Sequence, residues 1–177
     1  MPFTLFYGCM FASKTSHLIS SIKENSCVNE HTIVVKHALD TRYLKTYIVA
    51  HNKQKIECIP IHKGTDIFDL LKPSTHTIAI DEIQFFDSEM VHVITKLKRN
   101  GLHIYAAGLD LDYKGNPFYI MPDLMAIADH KVRLFAQCIC GAKATKTCRK
   151  SSNDTLFLTG HSDIYEPKCD DCFFVSK

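Results

Sequence analysis

The stretch Gly8-Cys9-Met10-Phe11-Ala12-Ser13-Lys14-Thr15-Ser16 has the residue types and spacing of a phosphate-binding loop. It fits G-x-x-x-x-G-K-[ST] except that Ser13 stands at the second glycine. Backbone N–H groups and the N-terminus of the following helix surround phosphate oxygens in such a loop. Lys14 offers a point charge to the β and γ phosphates, and the Thr15 hydroxyl reaches Mg2+. Glycine permits close backbone approach, so Ser13 narrows the loop or strains it. Further along, Asp81 and Glu82 follow the apolar run Thr77-Ile78-Ala79-Ile80. Carboxylates at the end of a buried strand lie where an α/β sheet opens its ligand crevice. Asp81 is the natural partner of Thr15 for Mg2+, and Glu82, one residue further out, is available for proton transfer. The plain alternatives are an idle strand-to-helix turn and a pair of solvated acids. Finding loop and acids in one chain favours chemistry.

Cysteine supplies the second cluster. Of eight cysteines, five fall between Cys138 and Cys172. Cys138-Ile139-Cys140 and Cys169-Asp170-Asp171-Cys172 form two close pairs, which suit a four-thiolate tetrahedral zinc site. A complete thiolate shell leaves no open position, so this metal holds structure together. The first pair is a tight C-x-C, and Cys148 is a possible substitute ligand. Free thiols or a disulfide are the alternatives, which a reducing compartment disfavours for the latter. Cys9, Cys27 and Cys58 read as small hydrophobes.

The elements that must position these groups are legible in outline. Strand-like runs recur at Phe3–Tyr7, Thr32–Lys36, Thr77–Ile80 and His103–Ala107, with helix-compatible segments at Lys14–Glu24, Asp66–Leu71 and Asp87–Arg99. That alternation predicts a parallel α/β sheet with helices on both faces. Leu44–Pro60 reads as a small antiparallel excursion, and Val132–Ala136 as a last sheet strand. A boundary near Gln137 divides residues 1–136, the phosphate-loop domain, from 137–177, the cysteine-bearing subdomain. At 177 residues and a formal charge of +2, no polyanion partner is called for. The apolar runs are too short to span a bilayer, and the start lacks the pattern of a secretory leader. A cytoplasmic location and no membrane partner are expected.

On these residues the chain resembles the type II (cytosolic and viral) thymidine kinases over nearly its whole length. Gly8–Thr15 resembles the family's G-P-M-F-[SA]-G-K-[ST], with Cys9 for proline and Ser13 for glycine. Asp40-Thr41-Arg42-Tyr43, with His51 beyond it, is similar to D-x-R-Y…[ST]-H, and Asp81–Phe86 to D-E-x-Q-F-F. Gly108–Phe118 is similar to G-L-D-x-D-F-R-G-x-P-F, with Tyr113 where phenylalanine is usual. Gly141–Thr145 and Ser162–Cys172 resemble the zinc and lasso region.

The resemblance implies a P-loop α/β domain with a small zinc-ribbon-like lasso subdomain that covers a nucleoside. It implies ATP, Mg2+ and Zn2+ as cofactors and thymidine, or deoxyuridine, as acceptor. Glu82 would be the general base for the 5′-hydroxyl. Gly8, Cys9, Met10, Phe11, Ala12, Ser13, Lys14, Thr15, Asp81, Glu82, Ile83, Gln84 and Arg42 would meet the nucleotide. Thr15 and Asp81 would hold magnesium, and Cys138, Cys140, Cys169 and Cys172 zinc. Arg42 and Arg149 are candidates for further positive charge near the transferring group. Met10, Phe85, Leu109, Tyr113, Phe118 and Tyr165 would enclose the base, with Leu156, Phe157, Leu158, Thr159 and Gly160 reading its edge through lasso backbone. A homotetramer is implied, and with the sequence stopping five residues after Cys172 no C-terminal extension for degradation or phosphorylation signals is expected. Two other readings stand beside this one. One is a different P-loop phosphotransferase or ATPase; the other is a zinc-ribbon nucleic-acid module with a decayed loop, whose lysines are diluted by Asp154, Asp163, Glu166, Asp170 and Asp171.

Overall fold

Side chains alternate between two covered faces along every central strand, and that alternation organises the computed structural model. It describes residues 1–24, 31–40, 46–50, 52–150 and 163–175. β1 (Phe3–Tyr7) leads to α1 (Lys14–Glu24) and β2 (Thr32–His37). An antiparallel hairpin, β3 (Tyr47–Val49) and β4 (Lys55–Glu57), precedes β5 (Ile59–Ile61) and the short α2 (Asp66–Leu70). Then come β6 (Thr77–Asp81), α3 (Glu89–Arg99), β7 (His103–Gly108), α4 (Met121–Ile127) and β8 (His130–Arg133). β9 (Ala136–Gln137), β10 (Lys143–Ala144), β11 (Lys146–Arg149), β12 (Tyr165–Lys168) and α5 (Asp170–Val175) follow.

Six strands form one parallel sheet in the order β5-β2-β6-β7-β1-β8. Parallel pairing requires crossovers, and these place helices on both faces. Phe3, Leu5, Ile78, Ile80, Ile104 and Ala106 point to one face. There α3 buries Met90, Val93, Ile94 and Leu97, an i, i+3, i+4, i+7 stripe. The opposite face presents Phe6, Ala79 and Ala107 to Leu18, Ile19 and Ile22 of α1. Small residues in β6 and β7 let α1, the helix that opens at Lys14, lie close to the sheet. A third cluster joins Cys9 and Ala12 of the loop after β1 to Cys138, Ala144 and Cys169. Among the described residues, no helix is long and apolar enough to cross a membrane.

The strands and helices expected from the sequence form with small changes of boundary. The final sheet strand begins and ends earlier than expected, at His130–Arg133. Leu134 still donates its N–H to the Tyr7 carbonyl at 2.8 Å, but Ala136–Gln137 then pairs with β10. The expectation did not single out β5, α4, α5 or the four short strands β9 to β12. The Leu44–Pro60 excursion is the β3–β4 hairpin over its described residues, while Ile59–Ile61 joins the main sheet beside β2.

Ile80, the penultimate residue of β6, is wholly buried. Ile80→Ala should therefore lower unfolding free energy by about 2–5 kcal/mol, read from urea denaturation.

Candidate active site

The loop after β1 turns sharply because Gly8 has φ +146° and no side chain. A Cβ there would run into the Leu134 carbonyl, so only glycine fits this approach. Phe11 and Ser13 both adopt left-handed backbone, with φ of 66° and 59°. Ser13 thus keeps the conformation that suits the glycine of the motif, at a steric cost of about 1 kcal/mol. His17 N–H returns to the Ser13 carbonyl at 3.1 Å, which ties the loop to the first turn of α1. Lys14 Nζ donates to the Cys9 carbonyl at 2.6 Å, folding its ammonium over the loop. Burial lowers the Lys14 pKa, and the negative field of Glu82, with those of Asp110 and Asp81, opposes this. The loop is braced from the cysteine-bearing segment: the Cys9 thiol donates to the Ala144 carbonyl at 3.3 Å, and Met10 N–H to Thr147 Oγ1 at 3.0 Å. Burial raises the Cys9 thiol pKa, so it acts as a small neutral donor.

Asp81 ends β6 and is buried. Thr15 Oγ1 lies 3.3 and 3.2 Å from its two carboxylate oxygens, so hydroxyl and carboxylate face one spot at the mouth of the loop. One hydroxyl and one carboxylate form a hard oxygen pair of the kind magnesium uses while keeping several waters. Glu82 is held in the left-handed region, with φ 54° and ψ 41°, as the chain enters a 3-10 turn over Ile83–Phe85. Left-handed backbone at a non-glycine residue costs about 1–3 kcal/mol and recurs at functional sites. Gln84 Nε2 donates to Glu82 Oε2 at 2.6 Å, and Gln84 Oε1 accepts Leu109 N–H at 3.1 Å. Gly108 makes room for this relay, since a Cβ there would come within 2.9 Å of Gln84 Oε1. The Ile83 side chain lies wholly in the core.

Two groups emerge that the sequence did not single out. Asp110, just past β7, is buried and faces the loop; its charge is felt at Lys14 and Cys9. Burial raises its pKa, and Arg133 Nη2, 3.8 Å from Oδ2, opposes the shift. Its Oδ1 has no hydrogen-bond partner among the described residues. The signal was present, because Asp110 follows β7 much as Asp81 ends β6. Lys36, fully buried at the end of β2, pairs with Asp40 at 3.4 Å and donates to the Tyr47 carbonyl at 3.0 Å.

The aromatic residues fall into two groups. Phe85 meets Phe118 edge-on, centroids 6.1 Å apart, with Leu109 packed on the same core. Tyr113 and Tyr165 instead flank the Arg149 guanidinium. Met10 is half-buried and fixed through its backbone. Arg42, His51, Leu156, Phe157, Leu158, Thr159, Gly160 and Cys27 lie outside the described residues.

The Sγ atoms of Cys138, Cys140, Cys169 and Cys172 all lie within 4.8 Å of one another, and Cys140 is 3.6 Å from Cys169. A tetrahedral zinc shell with Zn–S near 2.3 Å puts sulfurs roughly 3.8 Å apart, so the set fits that ion. The β9–β10 turn presents the first pair, and the start of α5 the second. Backbone N–H groups of Cys140 and Cys169 draw the Cys138 thiol down to about 6. The adjoining Cys169 thiol, then Cys140 and Cys138, push Cys172 up to about 12. Four crowded thiols cannot all ionise without a cation between them. Cys148 is not among the four; its Sγ lies against the Arg149 carbonyl.

A parallel α/β sheet of the P-loop type, joined to a four-cysteine cluster consistent with a zinc ribbon, defines the class of this protein. The family model for thymidine kinase matches residues 1–173, and the chain belongs to the thymidine kinase family. Among solved structures, the Pif1 helicase from Candida albicans overlaps 75% of this chain at 14% identity, with a TM-score of 0.47. The chain spans 36% of that helicase.

Two outcomes follow from this geometry. Ser13→Gly should melt no lower than the wild type, whereas the β-branched Ser13→Val should lose about 1–3 kcal/mol in thermal denaturation. Atomic absorption should find one zinc per chain, and Cys172→Ser should lose the metal and lower the melting temperature.

Proposed function

We propose that the protein transfers the γ-phosphate of ATP to the 5′-hydroxyl of thymidine, with deoxyuridine as a second acceptor, giving a nucleoside monophosphate for DNA precursor salvage. The observation that carries this reading is the juxtaposition of Thr15 with Asp81, with Glu82 one residue on and held by Gln84. Phosphoryl transfer demands positioning and charge compensation more than covalent help from the protein.

Residues Gly8–Thr15 wrap the β and γ phosphates, and the Lys14 ammonium leaves the Cys9 carbonyl for phosphate oxygen. Thr15 and Asp81 would hold magnesium, which would supply charge neutralisation on the phosphates. Glu82 Oε1 accepts the proton of the 5′-hydroxyl as that oxygen approaches phosphorus. Gln84 grips the other oxygen, so the base is aimed before substrate arrives. Its second bond, to Leu109, fixes that aim relative to the base-side wall. Leu109 joins Phe85 and Phe118 on that wall, while Met10, Tyr113 and Tyr165 complete the enclosure with backbone at Leu156–Gly160. Aromatic faces suit a planar pyrimidine and exclude water from the reacting end. Arg42 supplies further positive charge. Zinc at the four cysteines would close the lasso subdomain, residues 137–177, which packs on the P-loop domain, residues 1–136, through Cys9 and Met10. Assembly as a homotetramer and a cytoplasmic location belong to the same reading; reduced thiols are what zinc requires.

Glu82→Gln tests the mechanism, because it keeps the shape and removes the base. A coupled assay should show kcat lowered about 10²–10⁴-fold with an unchanged melting temperature. Wild-type turnover in that variant would overturn the role of Glu82. ATP consumption by the wild type that is indifferent to every nucleoside would instead establish an ATPase.

A further inference from the structure

Arg149 carries a permanent charge and is only 9% exposed. Its guanidinium carbon lies 3.7 Å from the centroid of the Tyr113 ring and 5.3 Å from that of Tyr165. Nη2 donates to the Tyr165 hydroxyl at 2.8 Å. Arg149 and Tyr165 are also register partners in the β11–β12 ladder, and Lys150 N–H donates to the Ile164 carbonyl at 2.8 Å beside them. Tyr113 comes from a different part of the chain, the connection between β7 and α4. The guanidinium therefore joins the connection after β7 to the cysteine-bearing ladder through its stack on Tyr113, while its hydrogen bond to Tyr165 holds it within that ladder.

The chemistry of arginine suits this task. A cation over an aromatic face is drawn by the ring quadrupole, more strongly where water is excluded. A planar guanidinium can cover one ring and still direct an N–H to a second group; a compact ammonium cannot do both. A phenol ring stacked in this way loses its freedom to tilt. A guanidinium engaged by two phenols is likewise a poor candidate for a mobile charge that follows a phosphate.

We propose that Arg149 is a positioning residue for the acceptor nucleoside, fixing Tyr113 and Tyr165 as two rigid walls for a planar pyrimidine. The proposal rests on the nucleoside-kinase reading above and assigns Arg149 to the acceptor side of the site, away from the phosphate donor. Tyr113 supplies the ring face that the stack needs.

Arg149→Lys is the discriminating variant, since it keeps the charge and removes the flat stack. With thymidine and ATP as substrates, KM for thymidine should rise about tenfold while KM for ATP stays within about twofold. Tyr113→Leu should raise the thymidine KM similarly, and the double variant should fall short of the product of the two effects. Tyr165→Phe deletes only the hydroxyl and should give a smaller rise of the same kind, which keeps the test alive if the lysine variant misfolds. An unchanged thymidine KM in folded Arg149→Lys, or a rise confined to the ATP KM, overturns the proposal. Failure of the wild type to phosphorylate any nucleoside removes the kinase reading itself, an outcome separable from both.

Discussion

Parallel pairing is the constraint on which the rest of the structure depends. β6, β7 and β1 run in the same direction side by side, so their carboxyl ends reach one edge of the sheet. The loop from Gly8 to Thr15, the acids at Asp81 and Glu82, and the turn at Leu109–Asp110 gather there as a consequence. None of the three would meet another in an antiparallel arrangement. β7 separates β1 from β6, yet α1 crosses that gap: Thr15, in its first turn, reaches Asp81 on the far strand. Ala79 and Ala107 under α1 keep the helix low enough for the reach.

Strain is concentrated where these ends converge. Phe11, Ser13 and Glu82 hold left-handed backbone, and two of the three lie in the phosphate loop. Such conformations persist only where neighbours over-determine them. Here the neighbours are identifiable. Gln84 grips Glu82, Leu109 grips Gln84, and Ala144 and Thr147 grip the loop at Cys9 and Met10. Among the described residues the buried carboxylates face Lys14, with Arg133 beside Asp110, so the electrostatic balance of the site is set along with its backbone.

Sequence reading succeeded where local pattern carries the signal. β1 and α1 formed over the residues expected, because a β-strand period and a lysine-led helix are both written within a dozen positions. It failed where tertiary context decides. Ile59-Pro60-Ile61 looks like the tail of a hairpin, but proline is tolerated at the edge of the sheet, where β5 lies. The Met121-Pro122 start of α4 is a short helix with proline in its first turn, easily taken for a loop. The Cys169-Cys172 spacing announced metal ligands and concealed that both border or belong to a helix. The relay from Leu109 through Gln84 to Glu82, the stack of Arg149 on Tyr113 and the buried Asp110 join residues far apart in the chain. No local periodicity records such contacts.

The bonds from Cys9 to Ala144 and from Met10 to Thr147 span 135 and 137 positions. Their significance extends to biosynthesis. The phosphate loop is synthesised well before the segment that braces it. Its strand must also wait for β7 and β8, which flank it on either side. Contacts of such separation are costly to close and form late. A nascent chain thus carries an unfinished nucleotide loop until the segment around Ala144 and Thr147 has been made.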